Sequence, residues 1–282
     1  MIAAVLINGV ATGQLAVSDR GLHYGDGLFE TVAVRNGKLC LWRRHWKRMA
    51  SGAQRLGIEI GDENAWLDDI NSILAPNQDA VIKLVLTRGP GGRGYVVPEK
   101  VEPVRIVMRS AVPDYHSDWF TQGVRARYCH TRLGGNVSLA GIKHLNRLEQ
   151  VMARNEWPPA VAIDDFVEGL MLDQQGMVIE GITSNVFLVR QDTIHTPVLE
   201  SSGVAGVMRD EIIDHARSVG ISVSIDHVST GQVSDADEVF LSNSLIGLWR
   251  VKQLENRLYK TGEIARMLQQ HVKEMSFASL HV

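Results

Sequence analysis

Two spacings of apolar residues alternate along the chain, and together they predict an α+β protein. Short runs rich in Val, Ile and Leu at residues 3–7, 80–87 and 104–109 read as strands, as does 124–130, with a further one near 14–17. Residues 29–34 and 38–42 form two more, joined by Arg35-Asn36-Gly37, whose Asn-Gly pair is the strongest short hairpin signal. Spacings of three and four then take over. Trp46, Met49, Ala53 and Leu56 predict an amphipathic helix over 43–56, with Arg48 adjoining its apolar stripe. Trp66, Ile70 and Ile73 predict another to about residue 74, capped by Asp62. In the second half, Leu145, Leu148, Met152 and Asn155 predict a helix ended by Pro158-Pro159. Strands are expected at 166–173, 178–190, 221–225 and 238–241, and helices over 203–219 and about 261–275.

Residues 110–123, with Pro113, Asp114, Ser117 and no periodicity, form the best linker. The expected organisation is an N-terminal α+β domain over 1–109, that linker, and a C-terminal domain richer in strands over 124–282.

Composition narrows the classes. The chain is 45% hydrophobic and 22% charged with a formal net charge of -3, enough apolar material for a buried core. That balance gives no electrostatic case for a nucleic acid or a membrane surface. Arg43, Arg44, Lys47 and Arg48 do cluster, but over one short helix and without an aromatic platform or binding motif. Cys40 and Cys129 lie far apart and match no metal or redox spacing, which reads as a reducing, cytoplasmic setting. The 10 histidines form no H-x-x-x-H pair, so no metal site is expected. The apolar start is too short for a membrane span and carries no basic leader.

Candidate chemistry centres on Gly141-Ile142-Lys143-His144. A lysine placed between an apolar pair and the start of a helix meets desolvation and a positive dipole end, both of which favour a neutral, nucleophilic amine. Taken alone, Lys143 reads more simply as a first-turn lysine reaching solvent. Glu180, within the strand run 178–190, is an acid that is either paired inside or displayed on a polar face. Arg48, if carried inward by its helix, needs an anionic partner. The loop over 18–31 displays polar residues between three glycines, including Tyr24 and Thr31 as candidates for proton delivery. Arg88-Gly89-Pro90-Gly91-Gly92-Arg93-Gly94-Tyr95 lacks the Gly-Lys-Ser/Thr of a phosphate loop. It reads instead as a mobile loop presenting Arg88, Arg93 and Tyr95 to carboxylates. The turn 203–208 and the Ser242-Asn243-Ser244 turn are short of bulky side chains, and the first can offer backbone N–H groups to an anion.

These features share one interpretation. A lysine for an imine, an acid to keep a pyridine nitrogen protonated, and a guanidinium with helix-start amides for a phosphate are the needs of pyridoxal 5'-phosphate. On these residues, and on S-D-R-G-L-H-Y-G-D-G-L-F-E-T (18–31), T-R-G-P-G-G-R-G-Y (87–95) and A-G-I-K-H-L-N-R-L-E-Q-V (140–151), the chain resembles the fold-type-IV pyridoxal-phosphate enzymes. That family includes branched-chain and D-amino-acid aminotransferases and aminodeoxychorismate lyases, and the last two strings resemble the lyases most.

The resemblance implies a two-domain α+β fold, with a smaller N-terminal α/β domain and a larger C-terminal domain built on a β-barrel-like core. It implies Lys143 as the covalent anchor, Glu180 at the pyridine nitrogen and Arg48, from the H-x-x-R pattern starting at His45, at the phosphate. Val207 and Met208 would stand at the phosphate-binding helix start, and Asn243 and Ser244 at a second phosphate turn. Arg93 and Tyr95 match positions that hold a substrate carboxylate in related enzymes. A homodimer with each active site near the interface is also implied. The expected reaction converts 4-amino-4-deoxychorismate to 4-aminobenzoate and pyruvate, with branched-chain or D-amino-acid transamination as the alternative. Two departures weaken the alternative: Leu148 stands where some aminotransferases place a tyrosine, and their phosphate turn usually continues into a glutamate where this chain has Ser244-Leu245-Ile246.

Overall fold

The computed structural model describes residues 2–159, 162 and 164–280, so Met1 of the expected N-terminal domain and residues 160, 161, 163, 281 and 282 of the expected C-terminal domain lie outside the described residues. Contacts divide the chain into two units: Met1–Pro113 with Ile142–Arg147, and Asp114–Gly141 with Leu148–Val282.

The N-terminal unit runs β1 (Ile2–Ile7), β2 (Val10–Ala11), α1 (Arg20–Tyr24), β3 (Gly27–Arg35), β4 (Lys38–Leu39), α2 (Trp42–Leu56), α3 (Glu63–Ile73), β5 (Ala80–Thr87) and β6 (Val104–Ser110). Its six strands form an antiparallel sheet in the order β2-β1-β6-β5-β3-β4. Leu28, Val32 and Val34 of β3 and Ile82, Leu84 and Leu86 of β5 alternate onto one face, where Met49, Ala53, Trp66 and Ile70 of the two helices cover them. The second strand forms at Val10–Ala11 and not at 14–17, because Asn8-Gly9 turns the chain back at once.

Inside the expected loop 18–31 lies helix α1. Asp19 caps it by accepting from the Gly21 N–H at 2.7 Å, and Gly25, at φ 62°, ends it in the left-handed conformation. Thr31 lies in mid-strand on β3, opposite Lys83, so the loop placement expected for it is corrected. Residues 142–147, expected in the C-terminal domain and partly in a helix, pair with β3 instead. Phe29 donates to the Lys143 carbonyl and Leu145 donates to the Gly27 carbonyl, both at 3.0 Å, around an antiparallel bridge between Leu28 and His144.

The C-terminal unit comprises α4 (Ser117–Thr121), β7 (Val124–Leu133), α5 (Leu148–Arg154), β8 (Phe166–Asp173), β9 (Met177–Gly181), β10 (Asn185–Arg190), β11 (Thr193–Pro197), α6 (Val207–Ser218), β12 (Val223–Asp226), β13 (Val228–Ser229), α7 (Thr230–Ser234), β14 (Glu238–Asn243), β15 (Gly247–Leu254), β16 (Arg257–Leu258) and α8 (Glu263–Val272). Its mixed sheet follows the order β12-β11-β10-β14-β15-β7-β8-β9-β13, with β16 beside β15. The sheet curls until β9 and β10, far apart in that order, meet through the turn 182–184, giving a nearly closed, barrel-like core. Ala126, Leu170, Val186, Val239 and Leu241 fill it. The expected linker contains α4, because Trp119 and Phe120 are buried there against Trp249. The expected strand 178–190 is two strands, broken where Gly181 donates to the Ser184 carbonyl at 2.6 Å.

Candidate active site

In the N-terminal unit, pairing with β3 presents Lys143 from an extended segment, with its Nζ 4.4 Å from the centroid of the Phe29 ring. Helix α5 begins only at Leu148, so Lys143 does not stand at the start of a helix as expected. The intervening residues are held out of a helix by Arg147, whose guanidinium donates to the carbonyls of His144 and Ile142 at 2.9 and 3.0 Å. His144 itself is partly buried with an unpartnered Nδ1, and burial pushes it down to about 4.

Beneath this segment lies a charge cluster that sequence reasoning missed in part. Arg48 does turn inward, and its anionic partner is Glu30 of β3, reached from Nε at 2.7 Å and Nη2 at 2.6 Å. His45, one helical turn before Arg48, holds the same carboxylate through Nδ1 at 2.7 Å. Glu30 is 1% exposed. Burial alone would raise its carboxyl, but the Arg48 guanidinium and His45 outweigh that and bring it to about 2. Burial lowers His45, so Arg48 carries the positive charge of the cluster at neutral pH. Glu30 had a signal in the sequence: it is an acid inside an apolar strand, the same anomaly that drew attention to Glu180.

The other N-terminal candidates separate. Arg88 is buried, with its donors taken by both oxygens of Asp26 and by the carbonyls of Leu56 and Gly57, all between 2.7 and 3.0 Å. It holds the fold together, so the carboxylate grip expected of it is corrected. Arg93 and Tyr95 project from the glycine-rich loop, Tyr95 with 85% of its surface exposed. Tyr24 packs its ring against Tyr95 and its hydroxyl accepts from the Gly94 N–H at 3.2 Å.

In the C-terminal unit, Glu180 points inward from β9 and is 4% exposed. Its Oε2 accepts from the Val204 N–H at 2.8 Å, while Asn185 donates to the Val204 carbonyl at 2.9 Å, so the backbone of one residue is held through both its polar groups. Just beyond it, Gly206 is the N-cap of α6, which begins at Val207, four residues later than the expected start, and makes no side-chain cap. A Cβ at Gly206 would lie 1.9 Å from Asn185 Oδ1, so only glycine lets the chain enter the helix this closely. The first turn, at Val207 and Met208, therefore keeps backbone N–H groups for an anion, while both side chains are buried in the core. Asn243 accepts from the N–H groups of Leu245 and Ile246 and donates to the Thr183 carbonyl, which fixes the turn carrying Ser244.

The Amino-transferase class IV family matches residues 27–254. Aminodeoxychorismate lyase of Vibrio harveyi is 37% identical over 268 residues, covering 93% of this chain and 97% of that protein. A putative branched-chain-amino-acid aminotransferase of Methanocaldococcus jannaschii is 29% identical, with 93% of this chain and 91% of that protein covered. Among solved structures, 4-amino-4-deoxychorismate lyase from Pseudomonas aeruginosa matches with a TM-score of 0.90 at 43% identity, over 96% of this chain and 98% of that one. The matched span runs from the first residue of β3 to the last of β15 and takes in Arg48, Lys143, Glu180 and both candidate phosphate turns. The chain belongs to the class IV aminotransferase family.

Proposed function

We propose that the chain is a pyridoxal-phosphate-dependent lyase converting 4-amino-4-deoxychorismate to 4-aminobenzoate and pyruvate. The observation that carries the reading is likeness at nearly full length to two such lyases, at 37% and 43% identity, against 29% for the aminotransferase. The chain's own residues fit the cofactor. Glu180 is a buried carboxylate of the kind a pyridinium nitrogen needs, and the α6 N-terminus is left without a side-chain cap. Arg48 supplies a guanidinium already fixed in orientation by Glu30. Asn243 and Ser244 supply a rigid polar turn.

Pyridoxal phosphate, when bound, supplies an aldehyde for an amine and a ring that draws electrons from the carbon bearing it. Lys143 is the residue whose Nζ would hold that aldehyde and would make way for the ring amine of the substrate. Once released, Nζ takes the proton from the substrate carbon that carries the amine. The C–O bond from the ring to the enolpyruvyl group then breaks, the ring becomes aromatic, and the departing enolate takes up a proton to become pyruvate. Arg93 and Tyr95, exposed on the glycine-rich loop, are the candidates for the substrate's two carboxylates. Thr31 and Tyr24 are left as candidates for proton delivery.

The working form we infer is a homodimer in the cytoplasm. Supporting it, α5 leaves Leu148, Val151 and Met152 exposed at spacings of three and four, Leu148 by 71%. Among the described residues no helix is long and apolar enough to cross a membrane.

Incubation with aminodeoxychorismate should give 4-aminobenzoate and pyruvate in equal amounts. Incubation with branched-chain or D-amino acids and 2-oxoglutarate should give little transfer. Rapid amino transfer with no 4-aminobenzoate formed would sink the lyase assignment.

A further inference from the structure

The glycine-rich loop does not hang free. At its base, Arg20 donates to the Gly89 carbonyl at 2.9 Å, Gly91 donates to the Ser18 carbonyl at 3.0 Å, and Asp19 bridges to Pro90. At its tip, the guanidinium of Arg20 reaches three consecutive carbonyls: Gly94 and Val96 from Nη1 at 3.1 and 3.3 Å, and Tyr95 from Nη2 at 3.2 Å. Gly91 makes room for the arginine stem, since a Cβ there would lie 2.7 Å from Arg20 Cδ. Arg20 is 4% exposed, although the residues it holds, 92–97, are themselves exposed.

A buried guanidinium needs an anion. Arg20 has Asp26, bound from Nε at 2.9 Å, and the same carboxylate holds Arg88 at the start of the loop. One acid thus ties the loop's first residue to the cation that grips its tip. The Tyr24 ring closes the arrangement, packed under the Arg20 guanidinium and against Tyr95.

We propose that Arg20 is a positioning residue for substrate: by fixing the carbonyls of residues 94–96 it sets the posture from which Arg93 and Tyr95 meet the substrate carboxylates. It touches neither substrate nor cofactor. This rests on the reading above that the loop selects the substrate.

Two variants of the holoenzyme test it. Arg20→Met keeps the stem and removes the donors. Gly91→Ala keeps every charge and pushes on the stem, so it serves if the first variant fails to fold. Two quantities are read: the rate of trypsin cleavage after Arg93, followed by mass spectrometry, and the separate kcat and KM for aminodeoxychorismate. Both variants should be cleaved about tenfold faster at that bond and show KM raised about tenfold with kcat within about twofold. The visible band of the bound cofactor should not change. Unchanged cleavage would overturn the clamp. Faster cleavage with unchanged KM would overturn the positioning role while leaving the lyase reading intact. If the unmutated protein made no 4-aminobenzoate, the lyase reading would fail, and the same split would be read with the amino acid it does accept.

Discussion

In the N-terminal unit three inward acids meet a full positive charge, with Asp19, held by the Gly21 N–H and the Thr87 hydroxyl, as the exception, whereas in the C-terminal unit buried acids meet mostly hydroxyls and backbone N–H groups. Glu30 is paired with Arg48 and His45, Asp26 with Arg20 and Arg88, and Asp69 with Arg105. Glu168 instead accepts from Gly169 and Thr183 N–H and from the hydroxyls of Thr183 and Ser184. Glu238 accepts from the N–H groups that open α8. Burial raises Glu30, Asp26, Glu168 and Glu238 alike, but beside guanidiniums the rise is reversed: Glu30 and Asp26 end lowered, Glu168 and Glu238 end raised, while Glu156, at a shallower position, is lowered by the backbone N–H groups of His130 and Thr131. The lesson is electrostatic. A few dipoles orient a buried carboxylate, while a paired cation keeps it charged and is itself held in place. The arginine proposed for the phosphate stands in the first kind of setting, and the acid proposed for the pyridine nitrogen in the second.

The largest expected effect comes from the residue proposed to anchor the cofactor. Lys143→Ala should lower 4-aminobenzoate formation by about four orders of magnitude. Borohydride should then no longer fix cofactor to the protein. A reducible adduct retained at Lys83 or elsewhere in the folded variant would show that the anchor was assigned wrongly.

Glu180→Gln asks whether aiming is enough. The amide keeps an oxygen for the Val204 N–H, so the turn into α6 should survive. Activity should fall about a hundredfold, because the negative charge is lost. Cofactor affinity, measured by fluorescence titration, should change far less. Loss of the fold instead would mean that Glu180 acts mainly as a brace.

Much of this was legible beforehand, and the gaps have physical causes. The spacing of Trp46, Met49, Ala53 and Leu56 placed α2 correctly and turned Arg48 inward, because one amphipathic helix decides both. The Asn36-Gly37 hairpin and the Asp62 cap were equally local, and both formed. Glu180 stayed ambiguous because its partner, Val204, lies 24 residues away. The break at 182–184 depends on Glu168, and the extended run at 142–147 depends on β3, more than a hundred residues earlier. Leu145, Leu148 and Met152 mimic a helical stripe across that run, and no local pattern reveals the strand that captures its first half. Glu30, His45 and Arg48 were all visible singly, but a strand and a helix had to meet before they made a cluster.

Paired substitutions test the contrast in stability. Glu30→Gln leaves the Arg48 guanidinium buried without its acid and should cost about 3 kcal/mol in urea unfolding. Glu168→Gln, at a site of similar burial, keeps an acceptor for the Thr183 and Ser184 hydroxyls and should cost about 1 kcal/mol. Equal losses would erase the distinction drawn between the two units.

The smallest expected effect is the most direct comparison, because acid should move the two units in opposite directions. His45 is lowered by burial and His144 is brought to about 4, both from 6.5. Below pH 6.5 their unfolded forms take up protons that the folded unit refuses, so N-terminal stability falls as the pH falls. Glu30, lowered from 4.5 to about 2, adds its own loss below pH 4.5. Glu168 and Glu238 are raised above 4.5, so their folded forms bind the proton first, and their contribution grows as the pH falls and is complete below 4.5. His215 and Glu156, both lowered, oppose this within the C-terminal unit, but from shallower positions. Hydrogen exchange compared at pH 7 and pH 5, corrected for intrinsic rates, should show β3 and β5 losing about 1 to 2 kcal/mol of protection relative to β8 and β14. Greater loss in β8 and β14 would mean that the backbone-bound acids, and not the guanidinium pairs, govern how this protein meets acid.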